Sequence, residues 1–311
     1  MFKPFNFGDF MVYTLTLSPS LDYILNVDSL DFDHINRASA TGLTFGGKGI
    51  NVSYVLGQLG VDNIAMGFVA GDMGAKLVSL VAQAGIRSDF CTLSKGETRL
   101  NVKIRSCREL DVNAPSHDLS ADDLLVIKDK LKSQAQSGDF VVLSGSTPRQ
   151  DIYADIMSAL QGRGINFVVD TCGQALVEAL KFKPFLVKPN HHELGEIVGA
   201  EIFDVQSAVD GAKKLAKMGA QNVLVSMAEK GAVLLTNGGE VFVCKNAKGT
   251  LINSTGCGDS MVAGFVAGIV QGRNFSDALR LATAAGNATA FSQNLATKDE
   301  IFSCITTDTV L

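Results

Sequence analysis

Short apolar runs bounded by polar or turn residues recur along the chain, with stretches of helical spacing between them. Residues 12–17, 140–143, 167–169, 185–187 and 223–225 predict buried strands, because their apolar positions run on without alternating. Residues 119–135, 152–160 and 205–218 repeat apolar side chains with a period near 3.6 and predict helices; Ser120 is the N-cap of the first. Strands that alternate with helices build a doubly wound, mostly parallel sheet flanked by helices, so the expected fold class is α/β.

Two stretches break that rhythm. Residues 20–45 and 87–114 alternate with period 2 and have no helix between strands. In TRLNVKI, Leu100, Val102 and Ile104 fall on one face and Arg99, Asn101 and Lys103 on the other. These segments predict a small β-sheet that projects as a lid, and a lid over a reacting site excludes water. The expected division is an α/β core from 11–19, 46–86 and 115–311, a lid from 20–45 and 87–114, and an N-terminal extension at 1–10.

Composition narrows the function classes. With 46% hydrophobic and 19% charged residues the 311-residue chain is globular and long enough to bury a core without disulfides. A net charge of −5 argues against a nucleic-acid partner, which needs clustered Lys and Arg. No run reaches the roughly 20 apolar residues of a membrane span. Six scattered cysteines without a CxxC pair argue against zinc and read as reduced thiols, which makes the expected location cytoplasmic.

Three motifs offer chemistry. Asn253-Ser254-Thr255-Gly256-Cys257-Gly258-Asp259-Ser260 opens directly into an apolar helix. Small residues let the backbone bend so that its N–H groups and the helix start face an anion. Asp259 is then either a dipole-favouring residue of the first turn or the base that takes a proton from a hydroxyl. Phe45-Gly46-Gly47-Lys48-Gly49-Ile50-Asn51 again leads into a helix. Lys48 there is either an exposed lysine on a glycine turn or a phosphate neutraliser. Gly49 stands where a P-loop needs Ser or Thr, and Met261 where a dinucleotide fingerprint wants Gly, so both of those sites are excluded. Lys188-Pro189-Asn190-His191-His192-Glu193 follows a strand. Asn190 with Glu193 is either a capping pair or an amide and carboxylate that orient magnesium through its waters. The two adjacent histidines are expected to point apart.

Taken in order, TLSPSLDY, GGKGIN, ETRLNVKI, LSGSTP, VVDTCGQAL, VKPNHHEL, VSMAEKGA and NSTGCGDSMVAGF resemble the phosphofructokinase B-type carbohydrate kinases of the ribokinase-like family, over residues 11 to about 303. GGKGIN and DVNAP point within that family to kinases of phosphorylated ketohexoses. The resemblance implies ATP-dependent phosphorylation of D-fructose 1-phosphate at the 6-hydroxyl, with tagatose 6-phosphate as the alternative acceptor. It implies ATP and Mg2+ as cofactors, and a homodimer formed through the lid. Asp259 would be the base, and Gly256, Cys257 and Gly258 the anion hole. Asp22, Gly47 and Asn51 would bind sugar hydroxyls, while Arg99, Lys48, Arg37 and Ser144 would serve the sugar phosphate. Lys188, Asn190, Ser226, Gly231 and Asn287 would serve the nucleotide, and Glu193 magnesium through water.

The sequence departs from the family pattern at three positions. Cys257 replaces Ala or Ser, and a helix N-terminus that lowered its pKa would make the thiol oxidation-sensitive. Ala228 replaces a glycine and would be strained if the backbone there needs a positive φ. His192 replaces a basic residue, which would make a phosphate contact pH-dependent.

Overall fold

The computed structural model describes residues 10–107, 109–306 and 309–310. The extension expected at 1–10 lies outside these residues except for Phe10. The strands in chain order are β1 (Val12–Thr16), β2 (Ser20–Asn26), β3 (Ala40–Gly46), β4 (Asn63–Val69), β5 (Cys91–Thr92), β6 (Arg99–Arg105) and β7 (Glu109–Val112). They continue with β8 (Phe140–Ser144), β9 (Asn166–Asp170), β10 (Leu186–Val187), β11 (Asn222–Ser226), β12 (Ala232–Leu235), β13 (Val241–Cys244) and β14 (Thr309–Val310). The helices are α1 (Lys48–Gln58), α2 (Gly71–Gln83), α3 (Ala121–Gln134), α4 (Ile152–Ala159) and α5 (Gly173–Leu180). After these come α6 (His191–Val198), α7 (Val205–Met218), α8 (Cys257–Val270), α9 (Phe275–Ala290) and α10 (Lys298–Ser303).

Ten strands form the large sheet, in the order β14-β13-β12-β11-β10-β9-β8-β1-β4-β5. From β5 to β11 every pairing is parallel, and β12 to β14 close that edge antiparallel. Neighbouring residues of the parallel strands face opposite helical layers. Val12, Val142 and Val168 pack with α1, α8 and α9, whereas Tyr13, Val141 and Val169 pack with α3, α4 and α7. Burial on both faces is why these strands lack the alternation of a half-exposed sheet. Ser120 caps α3 with a reciprocal bond to Asp123, as its position predicts.

The consecutive strands β1, β8, β9, β10 and β11 all end on one edge, at Thr16, Ser144, Asp170, Val187 and Ser226. In open parallel sheets ligands bind outside the carboxyl ends of the strands.

The second sheet has the order β3-β2-β6-β7. It is mixed, since β2 runs antiparallel to β3 but parallel to β6. Cys91–Thr92, inside the span expected for the lid, pairs instead with β4 in the large sheet. The small sheet turns its polar face inward: Asn101 is 4% and Lys103 8% exposed. Its apolar face is left open, with Leu100 37% and Val112 54% exposed. Leu21 anchors its base in a cluster with Ile50 of α1 and Leu77 of α2.

Candidate active site

A cleft of about 1230 Å³ runs from the inner face of the small sheet, across the ends of the core strands, to the start of α8. At the α8 end, Gly256 is the N-cap with φ 82, a left-handed backbone that favours glycine. The first-turn amides of a helix have no intrahelical partner, so this turn presents free N–H donors to the cleft. A Cβ on Gly258 would lie 3.0 Å from Lys188 Nζ, so the ammonium sits against the turn.

Asp259, 5% exposed, lines the cleft beside that turn, and its Oδ2 accepts a hydrogen bond from Asn51 Nδ2 at 2.8 Å. It stands in the first turn of α8. Burial, followed by the charge of Asp170, pushes its pKa up to about 6 against the opposing pull of Lys48, Asn51 and Lys188. A carboxylate so tuned is a stronger base than one in water. Asn51 reaches it because α1 starts at the glycine turn after β3 and packs against α8.

Asp170 ends β9 and is 1% exposed. Lys48 Nζ donates to its Oδ2 at 3.3 Å, and Lys188 Nζ lies 3.2 Å from Oδ1. The two ammoniums hold its pKa down despite the opposing effect of burial, and Asp170 in turn raises that of Lys48. Lys48 therefore points into the strand-end edge and not away from a surface turn.

At the lid end, Asp22 is held on three sides. Ser20 Oγ donates to its Oδ1 at 2.8 Å, Asn101 Nδ2 donates to the same oxygen at 2.9 Å, and Lys103 Nζ stands 3.6 Å from Oδ2. Arg99 Nη1 donates to the Ala114 carbonyl at 3.3 Å, and its buried Nε has no partner. The buried hydroxyls of Ser18 and Ser144 are likewise unpartnered, and both line the cleft. Unsatisfied buried donors are costly, so these groups face the place where a polar ligand would satisfy them.

On the opposite wall, Asn190 and Glu193 form a capping box, with Asn190 Oδ1 accepting from Glu193 N at 2.9 Å and Glu193 Oε2 from Asn190 N at 2.8 Å. Both still line the cleft, as do Gly47 and Ser226. Among the described residues no three His, Cys, Asp or Glu side chains converge as a metal cage. Of the carboxylates that line the cleft, Glu193 stands on this wall, and a single carboxylate fits magnesium that keeps its waters.

The structure places several of the expected residues away from the cleft wall. Arg37 is exposed in the β2–β3 connection, off the cleft. Gly231, with φ 93, turns the chain between β11 and β12 against the Cys244 carbonyl. Asn287 is buried in α9 with Nδ2 unpartnered and does not line the cleft. The Cys257 side chain also turns away, its Sγ donating to the Asn253 carbonyl at 3.4 Å; only its backbone belongs to the turn. Burial, with Asp259 adding to it, raises that thiol to about 11, opposite to the lowering a helix N-terminus favours, so it is not a reactive thiolate. The rings of His191 and His192 do not point apart; they lie 3.9 Å apart, centroid to centroid. Asn101, Lys103 and Asp170 were not singled out in the sequence. Their signals were the lid alternation around Arg99 and a carboxylate at the end of a core strand.

Ala228 has φ 48, in the left-handed region. Relief of that strain, about 1–2 kcal/mol, exceeds the roughly 0.4–1 kcal/mol by which glycine favours the unfolded chain. Ala228→Gly is therefore expected to stabilise the protein by about 0.5–1 kcal/mol, read as a higher midpoint in thermal or urea unfolding; a lower midpoint would show that the turn is not strained.

A model of the pfkB family carbohydrate kinases matches residues 11–301. The chain is similar to the 1-phosphofructokinase of Bacillus subtilis (strain 168), with 42% identity over 292 residues, covering 93% of this chain and 95% of that protein. It is similar also to the D-tagatose-1-phosphate kinase of Bacillus licheniformis, 31% identical over 289 residues, with 92% and 94% covered. Its fold matches Escherichia coli phosphofructokinase-2 in complex with fructose-6-phosphate, with a TM-score of 0.88 and 27% identity over 95% of this chain and 98% of that one. Because the family match spans the core, the small sheet and the α8 turn alike, the chain belongs to the pfkB family of carbohydrate kinases.

Proposed function

We propose that the chain transfers the γ-phosphoryl group of ATP to the 6-hydroxyl of D-fructose 1-phosphate, making fructose 1,6-bisphosphate and ADP. The observation that carries this reading is the single cleft that joins Asp259 and the α8 turn to the polar inner face of the small sheet. Asp259 takes the proton of the attacking hydroxyl as the oxygen–phosphorus bond forms and the bond to ADP breaks. The amides of Gly256, Cys257 and Gly258 meet the charge that collects on the transferring group. Lys188 and Lys48 add positive charge at the same place. Arg99 and Ser144 receive the sugar phosphate, and Asp22 and Asn51 the sugar hydroxyls. Glu193 would hold the water shell of Mg2+, which supplies charge neutralisation of the ATP phosphates when bound.

The D-tagatose-1-phosphate kinase relative favours a second reading, in which the acceptor is the C4 epimer with its phosphate also on C1. It weighs against tagatose 6-phosphate, whose phosphate is at the other end of the sugar. An ADP-release assay with fructose 1-phosphate, tagatose 1-phosphate and tagatose 6-phosphate decides among them. Highest kcat/KM for fructose 1-phosphate is expected; preference for tagatose 6-phosphate would overturn the reading.

The open apolar face of the small sheet supports a lid covered by a second copy, hence a homodimer. Sedimentation at micromolar concentration should give twice the monomer mass. The six unpaired thiols fit a reducing cytoplasm.

The buried base sets the pH dependence. With its pKa raised to about 6, Asp259 loses its proton, and becomes active, only as pH rises through that value. The acid limb of kcat/KM should fall near pH 6. The sugar phosphate titrates there too, so the proton is counted by difference titration of wild type against Asp259→Asn. A group titrating near pH 4 would contradict the buried base.

A further inference from the structure

Asp170 is a buried charge near the α8 end of the cleft that the transfer reaction leaves without a role. It lies behind the cleft wall, and two cations from separate elements converge on it: Lys48 in the first turn of α1 and Lys188 just beyond β10. Lys48 donates to Oδ2 at 3.3 Å, and Lys188 Nζ lies 3.2 Å from Oδ1, so each cation takes its own carboxylate oxygen. The Lys188 ammonium pairs with Asp170 at 3.2 Å, and the same ammonium rests against Gly258.

We infer that Asp170 is a positioning residue for phosphoryl transfer: it gathers Lys48 and Lys188 beside the anion-binding turn of α8, where the charge of the transferring group collects. The inference rests on the kinase reading of the same cleft. A lysine is a point charge on a flexible four-carbon stem, so its value to a transition state depends on what holds its end. One shared carboxylate holds both ends, and the ions are drawn from segments that only the fold brings together.

Asp170 also acts on the base. The charged groups facing Asp259 are Asp170 from β9, Lys48 from α1 and Lys188 from the end of β10, while Glu193 from α6 acts on Lys48. Asp170 raises the proton affinity of Asp259, and the two lysines lower it. Removing the negative charge while keeping the shape should therefore weaken the base and loosen both lysines.

For Asp170→Asn the expected result is a kcat lowered at least tenfold, a raised KM for ATP, and an acid limb displaced to lower pH. The substrate phosphate titrates identically in both enzymes, so the displacement between them is the readout. A merely structural role would reduce the active fraction and leave the limb in place, and an unmoved limb overturns the inference whatever kcat does. If Asp170→Asn does not fold, Lys48→Met decides. Removing one cation leaves Asp170 less neutralised, so the limb should move to higher pH; an unmoved or lowered limb overturns the proposal. NMR titration of the Asp259 carboxyl carbon reads the same displacements without turnover. Failure of the wild type on fructose 1-phosphate would count against the acceptor reading alone, and an unshifted Asp259 titration against Asp170 alone.

Discussion

Replacing Asp259 with Asn is expected to lower kcat by about 10²–10⁴-fold, the range set by loss of a general base, while the KM for the sugar phosphate stays close to its original value. Asn keeps the shape of the side chain and can still accept the bond from Asn51 Nδ2, so neither the turn nor α1 should move. What it cannot do is take a proton. In the proposed reading the sugar phosphate is received at the other end of the cleft, where Arg99 and the inner sheet face line it, out of reach of the substitution. Steady-state kinetics separates the two constants, and calorimetry of the sugar phosphate with the variant reads binding alone. A variant that turned over at the original rate would remove Asp259 as the base, and one that lost sugar binding would show that the residue holds the sugar and not the proton.

Gly258→Ala should cost about 10²-fold in kcat, comparable to losing one donor at an oxyanion site. The added Cβ would stand 3.0 Å from Lys188 Nζ, so the ammonium must give way. The lysine tip can shift at little cost to the fold, which confines the damage to the charge placed beside the amides. Thermal unfolding should change little, and the KM for sugar should hold while kcat falls. Undiminished kcat would mean that Lys188 does not serve the transferring group from its present place.

Much of the fold was legible because it follows from local rules. The parallel strands announce themselves as unbroken apolar runs, and α3 and α7 carry Ser120 and Asp204 as capping residues at their starts. β4 was less legible because Gly67 interrupts its run, with a φ of 152. β12 and β13 were missed although the Asn237-Gly238-Gly239 turn lies between them. A four-residue apolar run is ambiguous until a neighbour pairs with it. In the site, the small-residue turn before α8 was readable because a tight bend requires small residues. Whether Asn190 and Glu193 cap a helix or serve a ligand was not readable, since the same spacing does both; the structure shows the capping bonds with both residues still on the cleft wall. Arg37 and Asn287 do not line the cleft, because a position taken from a resemblance says nothing of which way the segment faces.

By itself the sequence determined the α/β class, the glycine turns and the amphipathic lid strands, for each depends on residues a few positions apart. It did not determine that the lid's polar face would be the buried one, because period 2 defines two faces without saying which meets the core. Nor did it pair Asn51 with Asp259 across 208 positions, or Lys48 with Asp170 across 122. Those contacts, and with them the strength of the buried base, were decided only by tertiary structure: the field a carboxylate feels depends on distance and burial, and both are set by how distant segments pack.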